Sequence, residues 1–318
     1  MTATGKLDLP ELIRQKIISL TEHSHSDHIN LNTSLRWADR VDRNRWPKRP
    51  EACWIYGTPA WEALTPAQRL ETAWAETARD VSMFIYLEQA LPPLYMGYIN
   101  KQGHLLQDYL KEYLLVFSKE EIVHIQVFRR YMALTGLESF AAPEGFYDLY
   151  VERLPQLPPI IGMLATLLVE WVAESTAVHA VASRACEPLT RQMFLLHHRE
   201  ELRHISFAKW VIGSLIAEMP SAERMGIRAF TEPLIDRIIR QSAVNREIAL
   251  KLPFDLGFTY DDQAAVEAVR CSPGNLRINA QRYGPVMAWL RQTGLVGPEF
   301  KISCLPPTAT APETRACA

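Results

Sequence analysis

Seven side chains in this sequence have the types and spacing to do chemistry: Glu88, Glu121, His124, Glu170, His197, Glu201 and His204. Glu121-x-x-His124 and Glu201-x-x-His204 share one spacing. On an α-helix that spacing sets a carboxylate and an imidazole on one face, a turn apart. Each pair follows a lone glutamate at a near-equal distance, 33 residues from Glu88 to Glu121 and 31 from Glu170 to Glu201. His197 falls on the same helix face as Glu201 and His204. Two imidazoles and a carboxylate on a buried face are costly unless a metal pairs with them. A glutamate on each of two helices, with Glu-x-x-His on two others, is the pattern by which four-helix bundles hold two metals.

The spacing therefore predicts a dinuclear site. Glu121 and Glu201 are expected to bridge, with Glu88, His124, Glu170, His197 and His204 as terminal ligands. Carboxylates and imidazoles without a thiolate favour iron or manganese over a closed structural zinc site. Glu71 and Glu76 share the predicted helix of Glu88 and are alternatives to it. Glu174, one turn after Glu170, is either a competing ligand or a supporting group. Glu120 and Glu200 precede the two bridging candidates, where each could hold the free N–H of a ligating imidazole. Arg203 could pair with either, while His179 and His198 read as ordinary polar residues. His197 is the surplus ligand, because a basic diiron pattern needs only six protein ligands.

The elements that must position these groups read as helices. A short amphipathic helix is expected near Pro10 to Leu20. A helix follows from Thr65-Pro66 to about Leu91, where Pro92-Pro93 end or kink it. The next covers Leu94 to Thr135, continuous or broken near Ser118, whose Ser-x-x-Glu spacing mimics a capping box; Gly136 stops it. A Pro-, Gly- and aromatic-rich connection, Leu137 to Pro159, is long enough to cross a bundle. Helices then read over Pro159–Ala185 and Pro188–Glu218, and over 221–250, 260–271 and 274–294. No pair of strands is convincing, so the class is all-α.

With 34 basic and 36 acidic residues the net charge is −2, which gives no electrostatic argument for nucleic acid or an anionic membrane. Five scattered cysteines without a C-x-x-C pair suggest neither disulfides nor a thiolate zinc site, and fit a reducing cytoplasm. The N-terminus has no apolar signal core, and the apolar run Ile160 to Val169 is too short to span a bilayer. His23-Ser-His25-Ser-Asp27-His28 matches the H-x-H-x-D-H pattern of zinc hydrolases. That motif needs a strand sandwich supplying further ligands, so a solvated loop is the expectation here.

The sequence resembles the p-aminobenzoate N-oxygenase family of diiron enzymes, within the ferritin-like class. The resemblance rests on Glu121-x-x-His124, on Glu170 lying 27 residues before His197, and on His197-x-x-x-Glu201-x-x-His204 with its extra histidine. Tyr56-Gly57-Thr58-Pro59, Trp61 and Leu64 to Arg69 support it upstream. It implies a ferritin-like four-helix bundle core with additional N- and C-terminal helices. Residues 1–60 would pack on the bundle, 61–296 would form the oxygenase domain, and 297–318 a flexible tail.

It also implies two iron ions, O2 as co-substrate and oxidation of an amine nitrogen towards hydroxylamine, nitroso or nitro products through a peroxo-diiron species, with Glu121, Glu201 and His197 as the catalytic groups. Carbon hydroxylation or oxidation of a biosynthetic intermediate, ferritin-like iron handling and a helical interaction protein are the alternatives. No G-x-G-x-x-G fingerprint or cysteine cluster is present, so electrons must come from an external reductase or ferredoxin-type partner. The other expected partner is a small-molecule amine or related organic substrate; a homodimer is compatible, whereas nucleic acid and membrane are not expected. Phe84, Phe117, Phe128, Met163, Leu167, Ala173 and Ala177 lie about a turn from ligands and are candidates for the substrate pocket. Arg129, Arg184 and Arg203 are candidate anchors for a carboxylate.

Overall fold

The computed structural model describes residues 7–37, 39–243, 246–257 and 260–306. Its helices are α1 (Glu11–Ser26), α2 (Pro59–Ala63), α3 (Pro66–Gln102), α4 (Asp108–Thr135), α5 (Pro159–Ala180), α6 (Pro188–Glu218), α7 (Ser221–Ala243), α8 (Arg246–Lys251), α9 (Gln263–Arg270) and α10 (Pro273–Gln292). No strand occurs among the described residues. α3 pairs with α4 and α5 with α6, each across a short turn, and α3–α5 and α4–α6 contacts close a four-helix bundle. One long connection, 136–158, joins the two hairpins. A single crossover of that kind is the ferritin-like bundle topology. α1 packs on α4 and α6, while α7 and α10 cover α5.

Sequence chemistry sets the main boundaries. Thr65 caps α3 with a full capping box: its hydroxyl accepts from Gln68 N–H, and the Gln68 side chain accepts from Thr65 N–H at 2.9 Å. Gly136 stops α4 in the left-handed conformation, φ 65°. Glu187 caps α6 by accepting from Thr190 N–H at 2.7 Å. α5 therefore ends at Ala180, short of the expected Ala185, and the intervening residues form the turn.

Two further expectations are corrected, and one open alternative is decided. α3 does not end at Pro92-Pro93, although these prolines lack the N–H groups that would bond the carbonyls of Glu88 and Gln89. Leu91, Leu94, Tyr95 and Tyr98 are buried on both sides of the step, and their packing carries the helix to Gln102. The actual break is the 3-10 turn Gly103–Leu105. α4 runs unbroken past Ser118, which is buried in mid-helix and donates its hydroxyl to Leu114 O at 2.8 Å. The His23–His28 stretch is not a loop throughout, because α1 continues to Ser26, with His23 and His25 exposed on its last turns.

The stretch expected as one helix over 221–250 appears as α7 and α8, with 244–245 outside the described residues. Of the expected tail, 307–318 lie outside them too, whereas Ile302 and Cys304 are buried and Asn279 Nδ2 donates to Cys304 O. α5 as a whole, 22 residues, is long and apolar enough to cross a bilayer, but most of it is buried within the fold. It holds Glu170 and Glu174 inside the bundle. The core falls into two large apolar clusters, one around Leu91, Tyr95, Phe117, Leu164 and Phe207, the other around Trp74, Phe84, Phe128 and Phe194. The charged residues of the bundle lie along the helices between them.

Candidate metal centre

All seven residues singled out by spacing are brought together at mid-bundle, each at most 3% exposed. They form two groups of four with ligand atoms within 4.8 Å of one another: Glu88, His124, His197 and Glu201, and Glu121, Glu170, Glu201 and His204. Glu201 belongs to both. Glu121 Oε1, assigned to the second group, also lies 3.8 Å from His124 Nδ1 of the first. The surplus imidazole of His197 therefore enters the Glu88–His124 half. Glu71 is ion-paired with Arg43 at 2.9 Å and Glu76 with Lys48 at 3.1 Å, so neither competes with Glu88.

Each imidazole turns one nitrogen outward to a carboxylate and the other inward. His124 Nε2 lies 2.7 Å from Glu200, His204 Nε2 lies 2.8 Å from Glu120, and His197 Nδ1 lies 2.6 Å from Glu174. Outward donation of the N–H leaves a lone pair on the inner nitrogen, the state a metal ligand requires. Arg203 Nη2 contacts Glu120 at 2.7 Å and Glu200 at 3.3 Å, and its Nε donates to Ser24 Oγ of α1 at 2.8 Å. Ile29 N–H donates to Glu200 from the segment after α1. Glu174 also receives His198 Nδ1 at 3.0 Å, which gives His198 a role its sequence position did not signal.

Inward, many of the polar atoms are orphaned. Both oxygens of Glu121, both of Glu170, Glu88 Oε2, Glu201 Oε1 and His124 Nδ1 are buried without a hydrogen-bond partner. His204 Nδ1 bonds Glu201 at 3.0 Å; its equal distance to Glu121 lacks hydrogen-bond alignment. Native interiors rarely leave so many acceptors unmet. Burial pushes the Glu88 carboxyl up to about 8 and raises Glu121 and Glu170 as well. Burial lowers the imidazoles, but the facing carboxylates prevail: Glu200 and Glu201 hold His124 up at about 10, and His197 and His204 stand well above their ordinary value. The cluster thus gathers positive charge from protons. Four carboxylates and three neutral imidazoles would be balanced by two divalent cations, and hard oxygen with imidazole nitrogen suits iron or manganese.

Beside this centre lies a cavity of about 430 Å³ between α3, α5, α7 and the crossover. Of the candidates named from sequence, Phe84, Ala173 and Ala177 line it. Phe117, Phe128, Met163 and Leu167 do not. Phe117 stacks on His204 with centroids 3.7 Å apart, Phe128 stacks on Phe84 at 5.2 Å, and Met163 and Leu167 are solid core. Phe84 stands edge-on to His197 at 5.0 Å, between cavity and ligands. The candidate arginines are elsewhere: Arg203 is committed to Glu120 and Glu200, Arg184 is exposed, and Arg129 lies in a separate groove with Ser82 and Tyr86. Arg79, Arg153 and Arg237 line the cavity instead. Arg153 and Arg237 carry no sequence signal because the crossover and α7 hold no ligand spacing, and Arg79 on α3 lies more than two turns before Glu88.

His23 and His25 belong to neither ligand group; each faces one surface carboxylate, Asp27 at 3.7 Å and Glu112 at 3.8 Å. The zinc-hydrolase pattern is thus an exposed helix end.

The family model of p-aminobenzoate N-oxygenase AurF matches residues 13–294. No curated protein matches the chain. Solved structures with similar chains include an R2-like ligand-binding oxidase with aerobically reconstituted Mn/Fe cofactor, 13% identical, covering 88% of this chain and 92% of that one at a TM-score of 0.45. A single-substitution variant of that oxidase, with the same cofactor, is 15% identical over 88% and 94% at a TM-score of 0.48.

Proposed function

We propose that this chain, which belongs to the p-aminobenzoate N-oxygenase AurF family, is an O2-dependent non-haem diiron oxygenase that oxidises the amine nitrogen of a small organic substrate. The carrying observation is the set of orphaned inward oxygens on Glu88, Glu121, Glu170 and Glu201, a donor set that fits two hard divalent cations. Glu88, His124 and His197 would hold one ion, Glu170 and His204 the other, with Glu121 and Glu201 shared. When bound, the iron pair supplies O2 activation and transfer of one oxygen atom to substrate.

The chain's own residues do the remaining work. Glu120, Glu174 and Glu200 fix which imidazole nitrogen faces inward. Arg203 neutralises the outer pair and ties it to α1. The largely apolar cavity beside Phe84 would seat the substrate and orient its amine toward the His197 half. Reducing equivalents come from a separate reductase or ferredoxin-type protein, since the chain has neither nucleotide fingerprint nor cysteine cluster.

The test is to load the protein with ferrous iron, add a chemical reductant, 18O2 and a panel of aryl and alkyl amines, and follow products by mass spectrometry. Gain of labelled oxygen at nitrogen supports the reading. Label found only at carbon would replace it with a hydroxylase, and iron oxidation with mineral growth would replace it with iron handling.

A further inference from the structure

The cavity beside the metal centre has room for more than a one-ring substrate. An apolar cavity of about 150 Å³ holds a benzene ring, whereas this one measures about 430 Å³. Its deep wall is apolar, made by Phe84, Leu87, Val169, Val172, Ala173 and Ala177. Ala173 and Ala177 leave space on α5 where larger side chains would fill it. The charges occur among the remaining lining residues, three basic (Arg79, Arg153, Arg237) and three acidic (Asp80, Glu144, Asp148). Two of the three pairs meet directly, Arg79 at 3.4 Å from Asp80 and Arg153 at 3.8 Å from Asp148, while Arg237 donates to the Glu144 backbone carbonyl at 2.6 Å. Lys48 adds a second partner for Asp80 at 3.0 Å. With three basic and three acidic side chains, the lining carries no net charge to select an ionised substrate.

We infer that the substrate is an uncharged arylamine whose apolar body spans two rings or an equivalent chain, in place of a single-ring aminobenzoate. This rests on the amine-oxygenase reading and extends it to substrate class. The body fills the chamber between α5 and α7, the amine points past Phe84 toward the His197 half, and the rim shields the far end from water. A second ring adds several methylene equivalents of apolar contact, each worth about tenfold or more in a hydrophobic pocket.

The test separates binding from turnover. Aniline, 4-aminobenzoate and 4-aminobiphenyl are titrated calorimetrically into the iron-free full-length protein. The expected result is that 4-aminobiphenyl binds at least about tenfold tighter than either single-ring amine. Ala177→Trp should abolish that advantage. Ala173→Leu, at a half-buried position, should reduce it and serves if the first variant does not fold. Equal or tighter binding of 4-aminobenzoate, or no loss in a folded cavity-filling variant, overturns the inference. In the iron-loaded protein with reductant and O2, tight binding of 4-aminobiphenyl without oxidation of any amine would sink the oxygenase reading while leaving the chamber's preference standing. Oxidation of 4-aminobenzoate alone would do the reverse.

Discussion

Glu174 Oε1 and His197 Nδ1 lie 2.6 Å apart, both buried, and this contact turns His197 Nε2 toward Glu88 at 2.7 Å and Glu201 at 3.3 Å. The seventh imidazole is thus aimed from behind, as Glu200 and Glu120 aim His124 and His204. Burial raises the Glu174 carboxyl, and His197 more than reverses this, holding it below the ordinary carboxylate range. Losing a supporting hydrogen bond of this kind commonly costs about 10–100-fold in metal affinity. Glu174→Gln is expected to weaken iron binding within that range, measured by competition with a chromophoric chelator. The protein should still bind two ions per chain at saturation. An unchanged affinity would mean that His197 does not need the contact.

Metal binding should release protons. His124 is held up at about 10, His197 and His204 stand well above their ordinary value, and Glu88 sits at about 8. These groups carry protons at neutral pH in the metal-free protein and must lose them to act as ligands. Affinity for Fe2+ or Mn2+ is therefore expected to fall as pH drops from 8 to 6, by about tenfold or more per unit if at least one proton is displaced. Titration calorimetry in buffers of different ionisation enthalpy counts the protons. Zero proton release would contradict the arrangement.

Arg203 sits between the outer carboxylates Glu120 and Glu200 and also reaches Ser24 of α1. Arg203→Met would leave two buried carboxylates without their shared cation. Breaking a buried pair from one side costs about 3–5 kcal/mol, so a clear fall in Tm is expected even in the metal-free protein. Arg203→Lys should restore only part of it, because an ammonium cannot present the guanidinium's planar fork to two carboxylates. A Tm equal to wild type in both variants would show that the carboxylates are held by the imidazoles alone.

Much of this arrangement was readable from residue spacing. Glu121-x-x-His124 and Glu201-x-x-His204 impose a helix phase, and the matched distances back to Glu88 and Glu170 place four helices side by side. Glu120 and Glu200 follow from the same phase. Glu174 did not, because a residue one turn from Glu170 can face either the cluster or its rear, and only the position of α6 decides between them. Pro92-Pro93 misled because local propensity says nothing about Leu91, Tyr95 and Tyr98 holding both sides of the step. The cavity was invisible for a related reason: its outer wall comes from the crossover and α7, which are remote in sequence from the ligands.

Gly162 on α5 tests how the crossover is anchored to the bundle. Tyr98 Oη, from α3, donates to Leu154 O of the crossover at 2.8 Å, and a Cβ at position 162 would run into the Tyr98 ring and hydroxyl. Tyr98 is buried and has no open side to retreat to. Gly162→Ala is expected to destabilise by about 1–3 kcal/mol through overpacking, despite alanine's higher helix propensity. Tyr98→Phe should cost less, about 1 kcal/mol for one lost hydrogen bond plus the unmet Leu154 carbonyl. In the double variant the missing hydroxyl relieves part of the clash, so the combined loss should be less than additive. Denaturant unfolding of the two single variants and the double variant measures this, and strict additivity would place the cost of Gly162→Ala somewhere other than the Tyr98 hydroxyl.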